Sequence, residues 1–235
     1  MPARGKFIAL EGIDGSGKRT QLEMLSRALR SRGVAHVTIS FPNYGGFFGR
    51  MVARYLNGEF GGLSEVDVHF SALLYAGDRL ENKLQLEENL AQGKMVLADR
   101  YIGSNLAHQG ARVPRQQLPE FLRWLEQLEY GVYGLPREDI VIYLRLPPAK
   151  AQTMVGRKNT RGYTRRRHDL QEANLAHLEA AASVYGRLAT RRKWHAIDCM
   201  EKRNGEMLAP EVIHREVMEV VESHVLRTSR RFGKS

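Results

Sequence analysis

A glycine-rich run, Glu11-Gly12-Ile13-Asp14-Gly15-Ser16-Gly17-Lys18-Arg19-Thr20, follows the short apolar stretch Phe7-Ile8-Ala9-Leu10. It opens a helical pattern with apolar positions at Leu22, Leu25 and Leu29. Strand, glycine turn and helix, in that order, cradle the phosphates of a nucleotide. Gly12, Gly15 and Gly17 let the backbone bend tightly and turn its N–H groups toward phosphate oxygens. The start of the helix adds partial positive charge. Lys18 extends to the outer phosphates. Gly12, Ile13, Asp14, Gly15, Ser16, Gly17, Lys18, Arg19 and Thr20 are therefore the candidate contacts to a phosphoryl donor such as ATP. The position after the lysine ordinarily holds a serine or threonine that ligates magnesium. Arg19 stands there and cannot ligate a metal. Either phosphates, waters and carboxylates hold the ion, or Thr20 reaches in from a position about 100° further round the helix.

A second set of residues follows another apolar run. Met95-Val96-Leu97-Ala98 leads into Asp99-Arg100-Tyr101, with Ser104, Asn105 and Gln109 beyond. An acid at the end of a hydrophobic strand can hold magnesium or its water. The planar fork of Arg100 can grip a phosphate with two hydrogen bonds. A structural ion pair between Asp99 and Arg100 is the alternative. Tyr75 and Arg79 share a helix face, where a ring can stack on a base while a guanidinium reads a carbonyl. The alternative there is a half-buried tyrosine beside a solvated arginine. Arg157, Lys158, Arg161, Arg165, Arg166 and Arg167 crowd one segment without an acid among them. It reads as a mobile basic loop, either a lid that covers reacting phosphates and excludes water or a solvated surface.

These sets need a frame to bring them together. Val37–Phe41, Met95–Ala98, Ile140–Leu144 and Trp194–Ile197 join the first apolar run as β-prone segments. Continuous apolar runs suit strands buried on both faces of a parallel sheet. Helical patterns fill the gaps at 64–91, 116–128, 170–188 and 211–225. The alternation predicts an α/β fold, a doubly wound parallel five-stranded sheet with helices on both faces. One domain over 1–226 is expected, with a lid at about 155–168 and a basic, disordered tail over 227–235. In such sheets ligands bind beyond the carboxyl ends of the strands, where the glycine loop, Pro42-Asn43-Tyr44 and Asp99-Arg100-Tyr101 all fall. The strand order is not readable from the sequence.

Composition narrows the function classes. The chain has 235 residues, 43% of them hydrophobic, and a net charge of +10. A basic surface favours anionic partners, a pair of nucleotides among them. No apolar run approaches the roughly 20 residues that span a bilayer, and no membrane partner is expected. Cys199 is the only cysteine, which excludes an intrachain disulfide and a cysteine-built metal site and points to a reducing cytoplasm. His168 and His177 have no third ligand at metal spacing.

Six segments together resemble the thymidylate kinase family. They are Glu11 to Gln21, Phe41-Pro42, Leu73 to Arg79, Asp99 to Gly110, Asp139 to Leu144 with Pro147, and Arg161-Gly162-Tyr163 with Asp169 and Glu172. The resemblance implies ATP-dependent phosphoryl transfer to thymidine monophosphate, with magnesium, in a homodimer. It implies that Asp14 lies near the acceptor and the metal, and that Tyr75 stacks on thymine while Arg79 contacts the base. Arg100 holds the acceptor phosphate, Tyr44 also contacts it, and Phe41 is a further residue of the acceptor site. Ser104, Asn105 and Gln109 line sugar and base. His108 stands where many members have tyrosine near the 2′ position. Asp169 and Glu172 match an acidic pair near the acceptor and magnesium, so Asp14, Asp99 and Glu172 form the implied metal set. Some members carry a catalytic arginine inside the phosphate loop. Gly15 and Ser16 leave none here, and Arg157 or Arg161 of the lid is expected to supply it. Arg145 replaces an acid common after the fourth strand. Another pyrimidine nucleotide or deoxynucleoside kinase is the nearest rival reading. A nucleotide-binding module without transfer is the other; Arg19 and the basic tail favour it, but no specific nucleic-acid partner is expected.

Overall fold

Five short apolar strands lie side by side and all run parallel, in the order β2-β3-β1-β4-β5. This is the arrangement in a computed structural model, which describes residues 3–155, 175–201, 203 and 205–226. The strands are β1 (Phe7–Glu11), β2 (His36–Ser40), β3 (Met95–Asp99), β4 (Ile140–Arg145) and β5 (Trp194–Asp198). β1 is buried along its whole length, as are all but the last residue of β3 and β4. That burial is why their sequences are continuous apolar runs and not alternating ones. The two edge strands are only partly covered.

Helices fill every crossover. They are α1 (Lys18–Ser31), α2 (Phe47–Leu56), α3 (Val68–Glu81), α4 (Lys83–Ala91), α5 (Ile102–Gly110), α6 (Leu118–Glu126), α7 (Pro148–Val155), α8 (Leu175–Leu188) and α9 (Pro210–Val221). The chain leaves β1 toward one edge at β2 and then returns across the sheet to β5. Right-handed crossovers therefore put α1 on one face and the helices after β2, β3 and β4 on the other. The packing agrees: α9 lies on α1, while α5 touches α3, α6 and α8. The expected doubly wound α/β fold is thus the one observed. The reversal of direction falls between β1 and β3, which pair from Phe7–Val96 to Leu10–Asp99. Their carboxyl ends open a crevice of the kind in which α/β sheets bind ligands.

Three differences from the sequence reading have local causes. The expected helix 64–91 is two helices. Asn82 closes α3 and its side chain donates to the Asp78 carbonyl at 2.7 Å, an alternative to helix continuation. α2 carries no strong sequence signal because two glycines, Gly45 and Gly46, precede it and its cap comes from another helix. Glu81 of α3 accepts from the Phe47 and Phe48 amides at 2.8 and 3.1 Å. The helices expected over 116–128 and 211–225 end in π-helical segments, Gln127–Val132 and Glu222–Leu226. The start of the expected helix 170–188, the lid at about 155–168 (apart from its first residue, at the end of α7) and the tail 227–235 lie outside the described residues. Among the described residues no helix is long and apolar enough to cross a membrane.

Candidate active site

Residues 12–17 form a loop that only glycine permits at three points. Gly12, Gly15 and Gly17 have φ of 147°, 87° and 90°, values that strain any side chain. A Cβ on Gly15 would stand 2.5 Å from the Ala151 carbonyl oxygen, so α7 closes over the loop directly. Gly17 is the N-cap of α1 and no side chain caps that end. The first amides of α1 thus have no intrahelical acceptor and present a ready anion site. Lys18 is buried, and its ammonium donates to the carbonyls of Gly12 and Ile13 at 2.9 Å each. Burial, and then the neighbouring Arg100, pull its pKa down to about 8. Arg19 points the other way, paired with Glu23 at 3.0 Å on the exposed surface of α1, and Thr20 is exposed as well. Both contribute backbone amides to the helix end in this geometry, and neither side chain enters the loop. Ile13 is buried in the core beneath it.

Arg100 meets this loop from the other strand. Its Nη2 donates to Asp14 Oδ1 at 2.7 Å and its Nη1 to the Gly12 carbonyl at 3.0 Å. The ion pair of Arg100 is therefore with Asp14. Lys18 and Arg100 share one oxygen, that of Gly12, so two cations stand side by side in the crevice. Burial is the largest single influence on Arg100 and lowers its pKa, but Asp14 together with Tyr185, Asp99 and Glu11 outweighs it and holds the pKa well above its ordinary value. The Arg100 backbone has φ 67°, left-handed and not glycine. Such strain concentrates at functional sites and persists where the surroundings enforce it. Asp99, one residue earlier, has a buried Oδ1 with no hydrogen-bond partner.

A network beneath Arg100 holds it in place. Nη1 also donates to Ser104 Oγ at 3.0 Å. Ser104 Oγ donates to Glu11 Oε2 at 2.6 Å, and Tyr185 of α8 donates to the same oxygen at 2.9 Å. Glu11 Oε1 accepts from the Tyr101 and Ser104 amides at 2.8 and 3.0 Å. His108 Nε2 lies 3.5 Å from Arg100 Nη1, and its Nδ1 lies 3.4 Å from Nε2 of His177. Since arginine can only donate, His108 accepts at Nε2 and carries its proton on Nδ1. Burial, then Arg100 and His177, hold the His108 pKa well below the usual histidine value. Burial pulls His177 down to about 4.

The remaining expected residues divide. Asn105 Nδ2 donates to the Ala72 carbonyl at 3.0 Å and to Glu129 at 2.9 Å, which leaves its buried Oδ1 without a partner. Gln109 Oε1 accepts from Ser71 and Arg112 at 3.0 Å each, which leaves its buried Nε2 without one. One helix face of α5 therefore presents a spare acceptor and, a turn later, a spare donor. Tyr75 is half-buried and packs edge-on to Tyr55 at 6.4 Å. Arg79 is buried in a two-pronged pair with Glu129 at 2.5 and 2.7 Å, so it is neither solvated nor beside Tyr75 on an open face. Phe41 lies in the core against Tyr101, ring centroids 5.6 Å apart. Tyr44 is half-buried on the loop after β2, whose Asn43 amide donates to both carboxylate oxygens of Asp78 at 3.1 Å. Arg157, Arg161, Asp169 and Glu172 lie outside the described residues. Among those described, no three histidines, cysteines or carboxylates gather as a metal site. Glu11 and Asp78 fall inside motif segments but carry no role there, and Tyr185, His177 and Glu129 lie outside them; each acts through partners distant along the chain. A groove of about 660 Å³ between β5 and α9 is lined by Glu216, Glu219 and Glu222, which disfavours polyanions.

The strand, loop and helix with an all-parallel sheet define a P-loop nucleotide-binding fold of the monophosphate-kinase kind. Residues 10–205 match the family model described as Thymidylate kinase. A thymidylate kinase of Mycobacterium tuberculosis is 33% identical over 190 residues, covering 77% of this chain and 87% of the relative. One from a Synechococcus strain is 32% identical over 230 residues, 93% of this chain and 96% of the relative. The solved thymidylate kinase of Candida albicans superposes with a TM-score of 0.73 at 23% identity, over 95% of this chain and 93% of that one, a likeness of fold. The chain belongs to the thymidylate kinase family, phosphotransferases that use ATP as donor and thymidine monophosphate as acceptor.

The neutral imidazole pair sets a pH dependence of stability. His177 has a folded pKa of about 4 against 6.5 unfolded, so the unfolded chain binds more protons between those values and stability rises with pH there. Relative to the parent, His177→Asn should lose this slope. Its stability deficit should grow by on the order of 3 kcal/mol from pH 4 to 6.5. Urea midpoints at several pH values measure it, and a deficit that stays flat with pH contradicts the assignment.

Proposed function

We propose that the glycine loop and Lys18 hold the triphosphate of ATP while Arg100 and Tyr44 hold the phosphate of thymidine monophosphate, end to end in the crevice between β1 and β3. The observation that carries this reading is the meeting of Lys18 and Arg100 at the Gly12 carbonyl. Two adjacent cations, Lys18 buried and Arg100 partly buried, suit two polyanions brought into contact. Phosphoryl transfer needs little covalent chemistry from the protein; it needs alignment and positive charge around the moving group. In this reading Lys18 neutralises the donor end and Arg100 the acceptor end. Asp14 keeps Arg100 oriented between turnovers. Arg157 or Arg161 of the lid closes on the transferred group and excludes water, with Asp169 at the acceptor.

The base is read by α3 and α5. Tyr75 stacks on the ring, and the spare acceptor of Asn105 and spare donor of Gln109 match a pyrimidine edge carrying N–H beside C=O. Thymine and uracil have that edge and cytosine does not. Arg79 acts from beneath, fixing Glu129 and through it Asn105, and His108 lines the sugar.

Magnesium sites in kinases take one or two carboxylates, with phosphates and waters completing the shell. The partnerless buried oxygen of Asp99, with Asp14 nearby on Arg100, fits that demand without a serine or threonine at position 19. Asp99 and Asp14 would hold the ion, joined by Glu172. When bound, such an ion would supply positive charge against the phosphates of the donor.

A homodimer fits the apolar stripe Phe70, Leu73, Leu80 and Leu84 along α3 and α4, whose residues are 39 to 73% exposed. The single, buried thiol suits the cytoplasm.

Incubation with ATP, magnesium and thymidylate should yield thymidine diphosphate and ADP, and ATP consumption should depend on the acceptor. Across a panel of nucleosides and monophosphates, thymidylate and deoxyuridylate should outrun deoxycytidylate. Acceptor-independent consumption of ATP contradicts the reading, and a preference for nucleosides gives the rival. Asp99→Asn should lower turnover more than it weakens ATP binding. Alanine at the essential lid arginine should cost on the order of 10³-fold in kcat. If Arg157→Ala and Arg161→Ala both stay within a few-fold of the parent, the lid assignment is wrong.

A further inference from the structure

Glu11 ends β1 with its carboxylate fully buried, and four donors converge on it. Two are the amides of Tyr101 and Ser104 at the head of α5, a helix with no side-chain cap of its own. Glu11 therefore caps α5 from another strand, where a negative charge also favours the helix dipole. Its second oxygen takes the Ser104 hydroxyl at 2.6 Å, and that hydroxyl oxygen receives Arg100 Nη1 at 3.0 Å. Arginine can only donate, so the Ser104 oxygen accepts from Arg100, and the Ser104 and Tyr185 hydroxyls, 2.9 Å apart, both reach Glu11 Oε2. Gly103 makes room for it, since a Cβ there would stand 2.8 Å from Glu11 Oε1 and 2.8 Å from the Trp194 ring.

We infer that Glu11 is the positioning residue of the acceptor-phosphate arginine: through Ser104 it fixes the guanidinium of Arg100 against the phosphate loop. The residue after Glu11 is Gly12, whose carbonyl receives both Lys18 and Arg100. The end of β1 and the first loop residue thus set the separation of the two cations and with it the gap across which the phosphoryl group moves. Arg100 sits in a left-handed backbone conformation that is unfavourable for it. A fixed relay from a buried charge opposes its relaxation into other rotamers.

The inference rests on the reading of Arg100 as the acceptor-phosphate grip, and the experiment separates the two. Steady-state constants for both substrates and melting midpoints are measured for Arg100→Ala, Glu11→Gln, Ser104→Ala and the Glu11→Gln/Ser104→Ala double variant. Arg100→Ala should raise KM for thymidylate; no change there overturns the grip itself. With that effect in hand, Glu11→Gln and Ser104→Ala should each raise KM for thymidylate about tenfold, as loss of a charge-assisted hydrogen bond implies. KM for ATP should stay within about twofold. The double variant should be no worse than the worse single one, since both break the same relay. Additive losses, or equal rises in both KM values alongside a lower midpoint, would mean that Glu11 is only a structural cap and overturn the inference. Should Glu11→Gln not fold, Ser104→Ala, which leaves both amide contacts to the carboxylate in place, decides by itself: an unchanged thymidylate KM overturns the relay.

Discussion

Two cations, Lys18 buried and Arg100 partly buried, have to be kept next to each other in a protein that must fold before any phosphate arrives. Like charges at that range repel strongly in a low-dielectric crevice, and desolvation adds to the cost. The chain answers with carboxylates of graded distance. Asp14 touches Arg100 directly at 2.7 Å. Glu11 reaches it through a hydroxyl, and Asp99 lies beside it in sequence. Among the described residues Lys18 has no carboxylate within ion-pair distance, and it rests on two carbonyls. Burial first and the Arg100 charge second lower its pKa to about 8, against the pull of Asp14, Asp99 and Glu11. An incoming triphosphate would relieve this, which is the sense in which the site is built for polyanions.

The sheet makes that arrangement possible. β1 and β3 are neighbours, in register from Phe7–Val96 to Leu10–Asp99, and the Arg100 amide continues the ladder to the Leu10 carbonyl at 3.0 Å. The glycine loop and Arg100 therefore leave adjacent strands at the same level. They then turn to opposite faces, one toward α1 and the other toward α5. The crevice exists because two crossovers diverge there.

Much of this was legible in the chain itself. The glycine loop announces its conformation by residue type, since three glycines are needed at the three positive φ angles. The continuous apolar runs announce a buried parallel sheet. Asp99-Arg100 at a strand end reads as a candidate anion site, though the partner of Arg100 was not readable: Asp14 lies eighty-six residues away in sequence, and only strand order brings it close. The same applies to Glu11, which reads as the last residue of a strand and becomes a helix cap once α5 is placed over it. Arg79 misled for a different reason. Helical spacing put it on a face with Tyr75, but spacing carries no information on burial, and a glutamate from the π-helical segment, Glu129, draws it inside. The helix break at Asn82 is local chemistry too weak to see against a strong apolar pattern.

α3 ties together the segments that carry Tyr44 and Tyr75. Its Asp78 takes the Asn43 amide, Asn82 takes the Asn43 side chain at 2.9 Å, and Glu81 caps α2. The loop bearing Tyr44 is thus fastened to the helix that bears Tyr75. Gly77 allows the close approach, since a Cβ there would meet the Phe48 ring at 2.5 Å. Burial raises Asp78 to about 6, so near neutrality it is charged and accepts its two contacts as a carboxylate. A base that shifts Tyr75 must shift the same helix that anchors the Tyr44 loop. In the proposed reading, base and phosphate of the acceptor are therefore not sensed independently. A ligand offering one without the other leaves half of a rigid beam unsatisfied, which favours a whole monophosphate over a free nucleoside or a bare phosphate.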